Sequence, residues 1–584
     1  MKTVLLTIEK KVTLTIDNKE VKVPEGTTVL EAAKVAGIHI PTLCYLKDIN
    51  KAGACRICLV EANGSLQASC VLPVSEGMVV KTNTPEIRKM RKNVLALILA
   101  NHNSSCPTCI RNNNCELQTL AKELNLREEI FEREYSHHID DFSPSVVRDD
   151  SKCINCGRCV NVCNDVQTVG VLGFVHRSDR TKVAPVYDKS LAELSCINCG
   201  QCIVNCPVGA LREKDNTDLV WEALADERKH VIVQTAPAVR AALGEEFGLP
   251  MGTSVTGKMV AALRRLGFDK VFDTDFAADV TIMEEVTELL NRLENGGPLP
   301  LITSCSPGWI KFCEHKYPEL IPNLSTCKSP QNMMGALLKS HYAKMNGLDP
   351  KDIVVVSVMP CTAKKFEVQR EELEVDGIRD VDISITTREL ARMIKEARIE
   401  FDQLEDEDFD EFYGESTGAA VIFGATGGVM EAAIRTVADI LTGQDIDEVN
   451  YEAVRGVESI KEAEIQIKPD LKLKVAVVHG GANIKTLMER VLSGEAQYHF
   501  IEVMACPGGC VNGGGQPIVP DKIKMEVDVR AERAKALYYE DSDVLPRRKS
   551  HQNPFVQRLY REFLGEPNSH LAHKLLHTTY VNRQ

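Results

Sequence analysis

The chain has 584 residues, with 69 Lys and Arg against 83 Asp and Glu for a net charge of −14, which is room for several domains and at least one large core. That balance excludes a nucleic-acid partner, and no apolar run is long enough to predict a membrane span. Twenty-one cysteines, grouped at short gaps in so long a chain, point to metal rather than disulfides and to a reducing, cytoplasmic compartment.

The amino terminus, "MKTVLLTIEKKVTLTID", alternates and turns charged early, as a strand pair does and a signal peptide does not. Residues 1–80 combine such strands with a helical segment, "TTVLEAAKVAG". Their cysteines, Cys44, Cys55, Cys58 and Cys70, resemble a plant-type 2Fe-2S loop with a longer first gap, and a longer loop closes at little extra entropic cost. A four-cysteine zinc site is the alternative. Residues 81–127 bring a helix-like "EIRKMRKNVLALILANH" and then His102, Cys106, Cys109 and Cys115. Three cysteines at fixed gaps after a histidine read as a His-ligated 4Fe-4S set; a capping histidine is the plainer alternative.

Residues 128–220 contain a repeat. "CINCGRCVNVC" at 153–163 recurs as "CINCGQCIVNC" at 196–206. This is the two-cluster ferredoxin run, in which three cysteines hold one cubane and the fourth crosses to the other. Cys153, Cys156, Cys159 and Cys206 therefore form one 4Fe-4S set, and Cys196, Cys199, Cys202 and Cys163 its twin.

From 221 to 542 apolar strand-like runs ("HVIVQTAP", "KVFDTDF", "PLPLITSC", "DIVVVSVMPC", "LKVAVVHG", "YHFIEVMAC") alternate with helical stretches such as "VTIMEEVTELLNRLENG". The expected class is multidomain α+β and α/β: ferredoxin-like iron–sulfur domains, then a large α/β domain with mostly parallel sheets. The stretch 402–415, "DQLEDEDFDEFYGE", reads as a solvated acidic loop. Residues 543–584 read as a tail of two helices. No dinucleotide fingerprint is present; "VVHGGANI" is a strand and a glycine turn. Three apolar runs end in cysteine, at Cys305, Cys361 and Cys506, with Cys510 just beyond. Open α/β sheets place their sites beyond the carboxyl ends of strands, so these thiols are expected to share one crevice, with the glycines of "PGGCVNGGGQP" letting backbone approach closely.

These stretches carry a resemblance that spans essentially the whole chain. "TSCSPGW", "MPCTAKKFE" (359–367) and "EVMACPGGCVNGGG" (502–515), with "TAPAVR" and "IFGATGGVMEAA", resemble the FeFe-hydrogenases of the large clostridial type. The resemblance implies a two-lobed α/β hydrogenase domain that reversibly reduces protons to dihydrogen. Its active centre would be an H-cluster, a 4Fe-4S cubane joined to a diiron unit carrying CO, cyanide and an azadithiolate bridge. Three accessory 4Fe-4S clusters and one 2Fe-2S cluster would supply electrons. By motif, Cys361, Cys506 and Cys510 are cubane ligands, and Cys510 also bridges to the diiron unit. Lys364 would donate to a cyanide ligand; Met359 and Met504 would pack against the diiron unit; Ala236, Pro237, Gln331 and Phe423 would complete the pocket. Pro507 stands where the family commonly has histidine.

The family motif reads Thr-Ser-Cys-Cys-Pro-x-Trp, its first cysteine a proton relay and its second a cubane ligand. Here the second position is Ser306. Either Cys305 keeps the relay role and Ser306 faces the cubane, as alternating side chains of a strand favour, or Cys305 becomes the fourth thiolate, as iron's preference for sulfur favours. Beyond Cys305 the resemblance implies a proton path through Glu285 and Ser325 to Glu288. Cys313 and Cys327 are expected to be packing residues. The implied partners are ferredoxin or another low-potential carrier and the maturation proteins of the diiron unit. The rival readings are the catalytic subunit of an NADH-linked, electron-bifurcating complex, a non-catalytic iron–sulfur wiring subunit, and a hydrogen sensor.

Overall fold

The computed structural model describes residues 10–127, 130–132, 134–447, 449–469 and 471–584. The first nine residues of the expected strand pair, 1–17, fall outside that set; its second half forms a strand that pairs with the chain following it. Lys11–Ile16 and Lys19–Pro24 pair antiparallel around Asp17 and Asn18, both at positive φ (45° and 65°), as the tightest hairpin turns require. With Leu59–Ala62, Ser65–Ala68 and Val79–Lys81 they make a five-stranded sheet. Val12, Leu14 and Ile16, at every second position, are buried against helix Val29–Val35. A capping box between Thr28 and Glu31 starts that helix.

Helix Pro85–Ala100 starts at an N-capping Thr84 with Pro85 in its first turn and stops just before His102. The two ferredoxin copies follow the same local course. Each passes through left-handed residues (Asn155 and Gly157; Asn198 and Gly200) into a single helical turn, Arg158–Asn161 and Gln201–Val204.

The large domain contains two four-stranded sheets. The first is wholly parallel, in the order Lys270–Asp273, His230–Thr235, Ile353–Met359, Ile383–Thr386. Its side chains alternate between two cores: Val231, Val233, Val356 and Val358 face one, Ile232, Ile353 and Val355 the other. Burial on both faces explains why these strands read as continuous apolar runs. The second sheet is ordered Leu301–Ile302, Phe500–Met504, Leu471–His479, Ile460–Lys468, parallel except for the last pair. Val475 and Val477 face one core, Ala476 and Val478 the opposite one. The fold is the expected mixture of ferredoxin-like domains and an α/β body.

One expectation is corrected. The 402–415 stretch is not merely a solvated acidic loop. Phe412 and Tyr413 are buried in the core, Asp410 accepts from the Val271 N–H (2.9 Å) and pairs with Lys270 (2.8 Å), and Glu407 pairs with Arg264. Its charges tie an aromatic anchor to the edge strand of the first sheet. The carboxyl-terminal segment does form two helices, Pro554–Leu559 and His570–Leu576, and they bury Val556, Leu559, Leu575 and Leu576 in the same core. Among the described residues no helix is long and apolar enough to cross a membrane.

Candidate active site

The carboxyl ends of both sheets point at one partly open cavity, the placement open α/β sheets favour. Strand His230–Thr235 delivers Ala236 and Pro237, strand Ile353–Met359 delivers Met359 and Cys361, Leu301–Ile302 leads to Cys305 and Ser306, and Phe500–Met504 delivers Met504 and Cys506. Cys510, Lys364, Gln331 and Phe423 complete the lining. Every pocket residue expected from the motifs is therefore at one place, although their positions run from 236 to 510.

The three thiols expected to bind the cubane are all free. Cys361 and Cys506 share a hydrogen bond, and burial, with Cys361 beside it, pushes Cys510 up to about 12. The hydrogen bond with Cys506 holds Cys361 below its ordinary range despite its surroundings, so one thiolate is favoured here and the other thiols need a cation to compensate them. Three convergent thiols, Cys506 buried and Cys361 and Cys510 half-buried, in an otherwise apolar chamber are thus a donor set that fits an iron–sulfur cluster. Lys364 brings the compensating charge to the wall: its Nζ donates to Glu367 (2.8 Å) and to the Cys305 carbonyl (3.3 Å). Glu367 also accepts from Gln331 (2.9 Å) and Ser329 (2.9 Å), which fixes both Lys364 and Gln331 at the cavity.

Cys305 and Ser306 stand apart as neighbours in extended chain do; Ser306 has φ −97° and ψ 101°. Cys305 packs with Phe423 and Met504. Burial first, then the Glu285 carboxylate, holds its thiol well above the ordinary range. Ser306 Oγ accepts from the Ala505 N–H at 3.2 Å, beside Cys506.

Glu285 is buried on the long helix Thr274–Asn295, where burial and the neighbouring Glu288 raise its carboxyl to about 8. Ser325 Oγ donates to Glu288 at 3.0 Å, and Arg292 holds Glu288's other oxygen at 2.6 Å. Glu285, Ser325 and Glu288 are hydrogen-bonded in series, and Cys305 at the cavity wall is an electrostatic neighbour of Glu285.

The first four-cysteine set and the two ferredoxin sets also assemble. In the first, Cys44 hydrogen-bonds with Cys55 and Cys70, and Cys70 with Cys58. His102 is buried and its Nδ1 lies 3.1 Å from the Lys152 carbonyl, the kind of contact that orients a ligating imidazole. Cys153, Cys156, Cys159 and Cys206 line one chamber; Cys196, Cys199, Cys202 and Cys163 are mutual electrostatic neighbours. Each crossed cysteine falls with the set the repeat assigns it to. Cys106, Cys109 and Cys115 flank the end of that repeat, where Arg111 donates to the Cys206 carbonyl (2.8 Å) and Gly209 lies against Cys109 Sγ.

Cys199, expected only in its ferredoxin set, also forms part of this cavity's wall. Two members were not assigned a role from sequence. Glu367 anchors Lys364, and its signal was the three-residue spacing from that lysine within "KKFE". Glu502, fully buried in strand Phe500–Met504, accepts from Gly427 (2.6 Å) and Met430 (2.7 Å) at the start of helix Gly428–Thr442. It fixes the strand that delivers Cys506, and a lone glutamate inside "FIEVM" was its signal.

Residues 229–514 match the family model of the iron only hydrogenase large subunit, C-terminal domain, and residues 527–583 that of the iron hydrogenase small subunit. The chain belongs to the FeFe-hydrogenase family. It is an oxidoreductase of the H-cluster type with accessory iron–sulfur domains. Residues 9–85 match a 2Fe-2S iron-sulfur cluster binding domain, 91–129 the NADH-ubiquinone oxidoreductase-G iron-sulfur binding region, and 143–212 the ferredoxin-like domain of NADH-quinone oxidoreductase subunit 3. The enzyme is 51% identical to the NADP-reducing hydrogenase subunit HndD of Solidesulfovibrio fructosivorans, over 98% of this chain and 99% of that one. It is 44% identical to iron hydrogenase 1 of Clostridium pasteurianum, over 97% and 99%. A solved structure of the FeFe-hydrogenase HydA1 from Chlamydomonas reinhardtii superposes with a TM-score of 0.55 at 43% identity, covering 62% of this chain and 98% of that one.

Proposed function

We propose that this enzyme interconverts protons and dihydrogen, with electrons delivered through four accessory clusters. The observation that carries the reading is the convergence of Cys361, Cys506 and Cys510 in one chamber beside Lys364. These thiolates would hold the cubane of the H-cluster, and Cys510 would also bridge to the diiron unit. When bound, the cluster supplies the redox-active iron at which dihydrogen is made or split. The chain's own part is to exclude water and to move protons. Met359, Met504 and Phe423 wall the chamber with apolar surface. Lys364, held by Glu367, presents its ammonium to an anionic ligand.

Cys305 is the proton relay in this reading, because Glu285 is the strongest electrostatic neighbour of its thiol while Ser306 Oγ accepts from the Ala505 N–H beside Cys506. In proton reduction a proton enters at Glu288 and passes by Ser325 to Glu285, which hands its own carboxyl proton to Cys305 as that thiol gives its proton up to the chamber; dihydrogen oxidation runs the same series in reverse. Ser306 then stands where the family has its fourth thiolate, so the cubane would rest on three thiolates and a hydroxyl.

The 2Fe-2S set Cys44, Cys55, Cys58 and Cys70 and the 4Fe-4S set His102, Cys106, Cys109 and Cys115 would both feed the Cys153 set, which feeds the Cys196 set and then the active site. A reconstituted chain should hold about 20 irons by standard cluster stoichiometry. The wiring-subunit reading leaves the match over 229–514 and the thiols at its cavity unexplained.

The relatives support two readings of the physiological donor. Iron hydrogenase 1 fits a chain working with ferredoxin or another small carrier, whereas likeness to a subunit of an NADP-reducing hydrogenase fits a chain that works within a complex. This chain lacks a dinucleotide fingerprint, so in the second case the nicotinamide site belongs to a partner subunit. Infrared spectroscopy of the matured protein tests the active site: CO and cyanide bands are expected, and their absence refutes it. Rapid reduction by ferredoxin without other subunits would favour the first donor.

A further inference from the structure

Among the described residues, one further group of metal-type donors stands together outside the cysteine sets assigned above. An oxygen of Glu288, the thiol of Cys327 and a ring nitrogen of His577 all lie within 4.8 Å of one another. They come from three separate elements: the long helix 274–295, the loop after Leu324, and the residue just past helix His570–Leu576. An isolated β-bridge joins Cys327 to His577.

The second shell resembles that of a built metal site. His577 Nε2 lies 3.1 Å from Glu284 Oε2. Glu284 is itself fixed by the Tyr560 hydroxyl (2.5 Å) and the Asn568 N–H (2.7 Å). A carboxylate on one ring nitrogen keeps the proton there and turns the other lone pair outward, as it does for metal-bound histidines. That other nitrogen, Nδ1, now takes the Thr326 hydroxyl at 2.8 Å, and Thr326 N–H in turn donates to Glu288 at 3.2 Å. Cys327 is wholly buried, and three carboxylates (Glu288, Glu285 and Glu284) are the nearest charges to its thiol. Such a surplus of acceptors opposes a bare thiolate and favours a divalent cation.

We propose that Glu288, Cys327 and His577 bind a soft divalent cation of the Zn²⁺ class through a carboxylate oxygen, Sγ and Nδ1, with water as the fourth ligand. Mixed sulfur, nitrogen and oxygen donors suit this ion; tetrahedral bond lengths imply donor separations of roughly 3.3–3.8 Å, so the group contracts by about 1 Å on binding. The Cys327 proton goes to solvent, and thiolate plus carboxylate balance the ion's charge. Glu288 then leaves Ser325 Oγ and Thr326 N–H, which shuts the outer end of the proton path. That closure, unlike the binding, rests on the path proposed above.

The test uses holoenzyme with its clusters loaded, titrated with Zn²⁺ and followed by X-ray absorption at the zinc edge and by H2 evolution. Wild type is expected to take one additional zinc with sulfur and nitrogen neighbours and to lose turnover, which a chelator restores. Cys327→Ala should lose this zinc and its inhibition together while keeping metal-free turnover. Glu284→Gln should weaken binding about 10- to 100-fold, as loss of a second-shell carboxylate does. Equal zinc binding by wild type and Cys327→Ala, or zinc surrounded only by sulfur, overturns the site. Zinc bound as described with turnover unchanged overturns the closure and, separately, the passage of protons through Glu288.

Discussion

The two ferredoxin copies are identical at seven of eleven positions, all four cysteines among them, yet they face different neighbours. In the outer copy, Arg158 donates to the carbonyls of Leu43, Cys44 and Tyr45 and pairs with Asp521. Asn50 bridges the Cys44 and Cys156 carbonyls at 2.8 and 2.9 Å. At the place of Arg158 the inner copy has Gln201, which donates to Asn512 O (2.9 Å) in the loop after Cys510. Thr362, next to Cys361, donates to Asn198 O (2.7 Å). The ligands are the same in kind, while Arg158 and Gln201, at the same position of the pattern, make different contacts. The outer copy meets the 2Fe-2S domain and the inner copy meets the active-site loops, so the proposed wire has its two entries at the outer copy and its exit at the inner one.

Breaking the exit should do most harm. Cys510→Ala is expected to abolish both electron-driven H2 evolution and isotope exchange between H2 and D2O, with loss of the diiron infrared bands. Cys199→Ala is expected to abolish electron-driven turnover but to keep those bands and some exchange, since the Cys361, Cys506 and Cys510 set survives. If both variants lose both activities and the bands, the inner copy is part of the site rather than its wire.

Next in size is Cys305→Ala, which should leave all cluster signals intact while turnover falls about 10²- to 10⁴-fold, the usual effect of losing a positioned acid–base group. Damage to the cubane signal instead would make Cys305 a ligand and exclude Ser306. The path has a pH signature too. Glu285 titrates near 8 because it is buried beside Glu288, so it is protonated at neutral pH and able to pass a proton on. Proton reduction should fall as pH rises through about 8, and Glu285→Gln should lose that limb with most of the rate. An unchanged profile in the variant would remove Glu285 from the path.

A smaller effect separates the copies by backbone alone. Gly157 and Gly200 both sit at positive φ (83° and 68°), so alanine strains either one by about 1–2 kcal/mol. At Gly157 the new Cβ meets only the Phe174 ring, whereas at Gly200 it meets Gly514 Cα at 2.9 Å and the Thr362 side chain. Both variants should melt earlier, measured calorimetrically, but only Gly200→Ala should slow electron delivery. Equal slowing would mean that docking does not depend on this contact.

What could be read beforehand follows the same division. Ligand cysteines are legible because metal demands fixed gaps, and strand ends because buried parallel strands are unbroken apolar runs. Glu285 and Glu288 were placed only by resemblance, since from sequence alone they look like an exposed acidic helix face. Their burial depends on the 553–580 segment lying over the helix, which no local pattern announces. The acidic 402–415 stretch was misread for a related reason: its charges are spent on Lys270, Arg264 and a backbone N–H far away in sequence. Docking residues such as Gln201 and Thr362 carry no local signal at all.

The smallest expected effect on turnover comes from giving the outer copy the inner copy's residue. Arg158→Gln removes a buried guanidinium and leaves Asp521 beside Glu116 without its cation. Breaking one partner of a buried pair costs about 3–5 kcal/mol, and here the cost falls on the contact between the 2Fe-2S domain and the outer copy. Asp521→Asn in the same chain should recover much of that stability, because the orphaned charge goes as well. The single variant is expected to loosen the first domain, seen as faster proteolysis near residue 80 and slower reduction of the 2Fe-2S signal. Yet Arg111 still ties the His102 set to Cys206, so the second entry stays connected and H2 evolution should drop less than in Gly200→Ala. Loss of all electron-driven turnover in Arg158→Gln, with the 4Fe-4S signals intact, would show that electrons enter through the 2Fe-2S domain alone.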